Sequence, residues 1–165
     1  MTKEPKKLNE LFHDTLKDIY YAEKKILTAL PKMAKAAQSD DLRAAFKKHE
    51  AETEGQVERL EKIFELIDKP ARSKTCDAIQ GILDEGKEIM EEYKGTEALD
   101  AGMLAAAQAV EHYEISRYGT LKQWAQQLGM KDAVRLLDET LQEEKKTDES
   151  LTSLAEATVN LAAAA

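Results

Sequence analysis

A net charge of −8 over 165 residues, with no compensating basic block, argues against nucleic acid or an anionic membrane as partner. Only 7 Gly and 3 Pro interrupt a composition rich in Ala, Leu, Glu and Lys, so one all-α domain over residues 1–165 is expected. The single Cys76 excludes an internal disulfide framework, and neither a hydrophobic leader behind Met1 nor a long apolar run appears, so a cytoplasmic setting is expected.

The first predicted helix covers residues 7–37. Its inward stripe runs Phe12, Leu16, Ile19, Glu23, Ile26, Leu30, Met33 and Ala37, in steps of three and four. Glu23 stands where the pattern demands an apolar residue. A carboxylate carried into an apolar core must be paired, protonated or bound to a cation. Pro31 removes one backbone donor and predicts a kink in a continuous helix.

Ser39, Asp40 and Asp41 supply a turn and an N-cap for a second helix over residues 39–68, which Lys69 and Pro70 end. Its inward positions are Phe46, His49, Glu52 or Thr53, Gln56, Leu60 and Ile63. A short helix over residues 76–93 carries Ile79, Ile82, Leu83, Ile89 and Met90 on its apolar side. Of these, Ile82, Ile89 and Met90 read as spare surface for a homodimer. Gly95 stops the short helix, Thr96 caps a third long helix over 96–128, Gly129 stops that one, and a fourth runs over 131–159. Four long helices with one long crossover, holding the extra short helix, form a bundle plan.

An internal repeat runs at an offset of 91 residues. Leu16, Ile19, Glu23, Leu27, Leu30 and Ala34 align with Ala107, Val110, Glu114, Tyr118, Leu121 and Ala125. Without a gap, Asp41, Phe46, Glu52, Leu60 and Ile63 then align with Asp132, Leu137, Glu143, Leu151 and Leu154. Each half is a helical hairpin. Residues equidistant from a hairpin turn lie at equal height, and the pairs Glu23–Glu52 and Glu114–Glu143 are both centred on the proposed turns. At about 1.5 Å per residue all four acids stand roughly 20 Å from their turn.

Hairpins packed by the implied pseudo-twofold axis put these four glutamates in one interior layer, where two divalent metal ions would satisfy them. Glu23 and Glu114 each interrupt an apolar stripe. Glu52 is preferred to Glu50 and Glu54. On the fourth helix the repeat picks Glu143, whereas Leu137, Leu141, Glu144, Asp148 and Leu151 form a rival stripe, so Glu143 and Glu144 stay open. Glu111, one turn before Glu114, is a candidate fifth ligand. His49 is read chiefly as a polar core residue, and Tyr20, Tyr21, Tyr113 and Tyr118 as aromatics hydrogen-bonded to ligands. His112 and His13 fall off the stripe, and Cys76 has no assigned role.

Four segments carry a resemblance: Tyr21–Lys24, His49–Gln56, Val110–Leu121 and Glu139–Asp148. With the repeated hairpin and the crossover helix, the chain resembles the ferritin-like superfamily, and within it the YciE/YciF-type family of bacterial stress-associated proteins. The resemblance implies a cytosolic homodimer with a di-iron or di-manganese site at Glu23, Glu52, Glu114 and Glu143 or Glu144. Glu111 is similar to the additional third-helix glutamate of rubrerythrin-like sites. The histidines depart from the pattern. Bundles of this type present Glu-x-x-His on two helices, whereas this chain has Gln56 four residues after Glu52, and Thr147 three after Glu144. His49, one turn to the other side of Glu52, is the substitute. An oxygen-rich set moves preference toward hard cations such as manganese or magnesium. The functions expected are metal-centred chemistry on oxygen or peroxide, or a non-enzymatic structural stress protein with a degenerate site; iron storage would need a cage.

Overall fold

The computed structural model describes residues 5–165; the leader reading at Met1–Glu4 lies outside them. Helix α1 spans Leu8–Ala36, α2 Asp40–Leu66, α3 Asp77–Glu92, α4 Leu99–Gln127 and α5 Lys131–Leu154. A π-helical turn over Ala155–Val159 and a final α6 over Asn160–Ala163 follow. Helices α1 and α2 form one hairpin and α4 and α5 the other, while α3 lies on α4 and α1. The described residues form an all-α bundle, and none of its helices is long and apolar enough to cross a membrane.

Local chemistry places the ends. The Lys7 amide donates to Glu10 at 2.6 Å, which also sets an acid in the first turn of α1 where the helix dipole favours it. Helix α1 runs through Pro31 without a break. The Ser39 hydroxyl accepts from the Leu42 amide and starts α2. The α1–α2 turn is held from α4: both oxygens of the buried Asp100 accept backbone amides, from Gln38 at 2.8 Å and Ser39 at 2.7 Å. Gly129, at φ +72°, takes the left-handed conformation that closes α4 and lets Met130 N–H reach the Ala125 carbonyl.

Two expectations are corrected at helix ends. Helix α4 starts at Leu99, not Thr96, because the Thr96 hydroxyl is spent on the Tyr93 carbonyl at the end of α3. The regular part of α5 stops at Leu154, before the π-helical turn. The short helix spends part of its apolar side on its own chain. Ile82, Leu83 and Met90 pack against the core, and Ile89 sits over Gly102. Cys76 caps α3, its thiol accepting from the Ile79 amide and sharing a 2.9 Å hydrogen bond with Tyr113 Oη.

Two glycines of α4 separate packing from propensity. A Cβ on Gly102 would meet Ile89 Cγ2 at 2.6 Å, and a β-branched side chain has little freedom to withdraw. A Cβ on Gly119 would meet nothing within 4 Å. Urea unfolding should find Gly102→Ala destabilising by about 1–2 kcal/mol and Gly119→Ala neutral or stabilising by up to about 1 kcal/mol. Equal effects at the two positions would refute the packing account of α3 on α4.

Candidate metal centre

The interior stripe of each helix delivers one or two polar groups to a common layer. Helix α1 brings Glu23, α2 brings His49, α4 brings Glu111 and Glu114, and α5 brings Glu144; the four glutamates are 0 % exposed. His49, Glu111, Glu114 and Glu144 offer ligand atoms that all lie within 4.8 Å of one another. Seven of the eight carboxylate oxygens, all but Glu23 Oε1, have no hydrogen-bond donor among the described residues, and neither does His49 Nε2. His49 Nδ1 stands 3.1 Å from Glu111 Oε1 and Nε2 3.8 Å from Glu144 Oε2, close enough for charge but not aligned as hydrogen bonds.

The exception is Tyr118, a buried α4 residue whose hydroxyl donates to Glu23 Oε1 through a short hydrogen bond. This fixes the Glu23 carboxyl from the neighbouring hairpin. Burial pushes Glu23 up to about 8, with the Glu144 charge adding to it, while the Tyr118 hydrogen bond pulls back. Burial pushes Glu111 up to about 12, and Glu114 also rises well above the carboxylate range. The same burial lowers His49. Without a cation Glu23, Glu111 and Glu114 therefore hold protons. Sharing protons is how crowded carboxyls avoid like charge at short range.

Two expected ligands stand outside this group. Glu52 and Glu143 lie at the right height, but each is one residue away from an inward position, about 100° around its helix. Thr53 occupies the inward place beside Glu52, and Glu144 the one beside Glu143. Glu52 and Glu143 instead reach the seam between α2 and α5, with side chains 25 % and 27 % exposed. Thr147 Oγ1 donates to Glu52 at 3.2 Å. Glu143 accepts from Gln56 Nε2 at 3.1 Å and from both terminal nitrogens of Arg59, at 2.8 and 2.6 Å. Between Glu143 and Glu144, then, the buried residue is Glu144.

The supporting residues divide likewise. Gln56 is buried beside the group and its amide is turned to Glu143. Asp148 lies at the edge, accepting from Gln108 at 3.2 Å and paired with the exposed His112 at the same distance. Tyr20 turns away: its hydroxyl donates to Glu61, and its ring packs edge-on against Phe64, so it supports no ligand. Tyr21 bonds Gln80, and Tyr113 reaches Cys76 and Asp18. Of the four tyrosines only Tyr118 touches the acids. Arg59 was missed; its signal was a guanidinium one turn past Gln56, able to span the i, i+4 acids Glu139 and Glu143 on the facing helix.

Comparison with known proteins finds relatives of similar length. A family model described as a domain of unknown function, DUF892, matches residues 7–164. Protein YciF of Escherichia coli (strain K12) is 45% identical over 157 residues, 94% of each chain. The crystal structure of the E. coli stress protein YciF superimposes with a TM-score of 0.90 at 43% identity, covering 94% of this chain and 99% of the other. YcfI of Rhodopseudomonas palustris, provisionally described as a structural protein, matches with a TM-score of 0.88 at 41% identity, over 93% of this chain and 98% of its own.

The raised carboxyls carry a sign. A folded-state pKa above the ordinary 4.5 means the native state holds protons that the unfolded chain has released, so stability falls as pH rises toward 8. Lowered His49 acts oppositely, but only below its ordinary 6.5. Chelator-treated protein should thus lose stability between about pH 6.5 and 8, by about 1.4 kcal/mol per pH unit for each proton held, and Glu23→Gln should reduce that slope by about one such increment. Calorimetry across this range checks it, and a stability that rises with pH there would contradict the assignment.

Proposed function

The chain belongs to the DUF892 family, whose relatives include the E. coli stress protein YciF, and on that premise we propose that it is a stress-associated protein. Its bundle core, in this reading, holds two divalent metal ions, iron or manganese, for chemistry on oxygen or peroxide in the cytoplasm. Charge is the observation that carries the reading. Four carboxyls are fully buried together, and among the described residues the ion pairs bring them only His49. Two divalent ions would balance four carboxylates and take up the oxygens that lack donors.

His49, Glu111, Glu114 and Glu144 form a set compact enough for one ion, and Glu23, beside Glu114, extends it toward a second. A donor set of carboxylates with one imidazole suits manganese or ferrous iron. Such ions, when bound, supply one-electron chemistry toward dioxygen or peroxide. The chain's own contribution is positional: Tyr118 holds Glu23 in one orientation, and the apolar stripes around the layer keep bulk water out.

A second reading is favoured by the description of the Rhodopseudomonas palustris relative as structural. The acids would then be a proton-sharing core network with no resident ion. A homodimer is also proposed, supported by the half-buried state that Ile82, Ile89 and Met90 retain on α3. Sedimentation giving a monomer would remove it.

Anaerobic reconstitution with Fe(II) or Mn(II), followed by elemental analysis, should give about two ions per chain and a raised Tm, as binding to the native state requires. Glu114→Ala should lose both effects. Trace metal only, with Glu23→Ala and Glu114→Ala folding as well as the parent with or without metal, would overturn the metal centre in favour of the structural reading.

A further inference from the structure

Resting on the metal-centre reading, we propose that Glu52 is the entry ligand for the divalent cation: it captures the hydrated ion at the α2–α5 seam and passes it inward, without belonging to the resident set.

The seam is built by the internal repeat. Glu52 and Glu143 occupy equivalent positions, as do Gln56 and Thr147, and each acid accepts from the other hairpin's equivalent residue, at 3.2 and 3.1 Å. The two acids differ in what neutralises them. Glu143 is held by the Arg59 guanidinium through two short bonds. The repeat puts Ser150 at the place matching Arg59, and among the described residues Glu52 pairs with no guanidinium. Among the described residues its one ion-pair partner is Lys48, at 3.6 Å and 58 % exposed, a loose pair in high dielectric. One half-exposed carboxylate at the seam is thus open to a cation, and its twin carries a resident positive charge.

Behind Glu52 lie acceptors without donors. Gln56, 1 % exposed, spends its amide nitrogen on Glu143 and leaves Oε1 buried and unpartnered. One turn before Glu52 on the same helix, His49 keeps Nε2 unpartnered, 3.8 Å from Glu144 Oε2, itself without a donor. Along α2, Glu52 thus stands between an orphaned acceptor at the seam, on Gln56, and one in the layer, on His49. A second approach, a cavity of about 10 Å³ lined by aliphatic side chains such as Ile26, Leu30 and Val110 and by His49, offers a hydrated ion one imidazole and no carboxylate.

An entry ligand changes rates without changing the equilibrium. Stopped-flow transfer of Mn(II) between a chromophoric chelator and the folded full-length protein reads both rates. Glu52→Gln should slow association and dissociation alike, by about tenfold, because an acid at a site's mouth raises the local cation concentration. Kd and the number of ions bound should match the parent. Glu143→Gln, whose charge Arg59 already balances, should leave the rates close to the parent's. An unchanged rate in Glu52→Gln overturns the proposal, as does a loss of bound ions or a Kd weakened in step with faster release, which would make Glu52 a resident ligand. So does a larger slowing in Glu143→Gln. A parent that takes up no Mn(II) instead sinks the metal centre itself, and the entry role with it.

Discussion

Glu23, Glu111, Glu114 and Glu144 meet in the bundle interior with no lysine or arginine among their described partners. Four carboxyls cannot ionise at that density without compensation, since desolvation and mutual repulsion act in the same direction. Everything near the layer accommodates this. Glu114 and Glu111 retain protons, His49 is held neutral by the same burial, and Tyr118 gives its hydroxyl to Glu23. An arrangement so unfavourable for carboxylates alone becomes favourable when two divalent charges enter it. That asymmetry supports a metal role over a purely structural one.

The internal repeat explains the scaffold better than the site. Symmetric positions carry Glu23 and Glu114, and symmetric bonds tie Gln56 to Glu143 and Thr147 to Glu52 across the seam. Yet the buried layer itself is lopsided. Where the second hairpin has Glu111, the first has Tyr20, which turns to Glu61 on its own partner helix. Where the second has Glu144, the first has Thr53, whose hydroxyl is satisfied by the His49 carbonyl. The second hairpin thus brings three acids, and the first brings one acid and the imidazole.

The surroundings of the layer show how the rest of the chain tolerates it. Outside it the core is ordinary: Phe12, Leu16, Ile19, Phe46, Phe64, Met103 and Leu121 fill the bundle with almost no exposure. Asp100 shows the contrast. It too is a buried acid, but two backbone amides satisfy it, and it serves as a clamp on the α1–α2 turn. A buried carboxylate with donors is architecture; the four at the layer receive one hydrogen bond among the described residues, from Tyr118.

Sequence alone determined the all-α class, the two hairpins with their crossover helix, and the presence of Glu23 and Glu114 inside. Hydrophobic period and turn chemistry are local, and a charge breaking an apolar stripe is visible without coordinates. It also placed Glu52 and Glu143 at the correct height, because rise per residue is a property of any helix. Which way they pointed was beyond it. On α2 and α5 the polar residues are too dense for the stripe to choose between neighbours, and a helix's rotation about its axis is set by how whole faces pack. Only the tertiary structure turned Glu144 and Glu111 inward, sent Glu52 and Glu143 to the seam, and brought Arg59 from one hairpin to neutralise an acid of the other. The seam contacts join residues more than 80 positions apart, and no local rule records them.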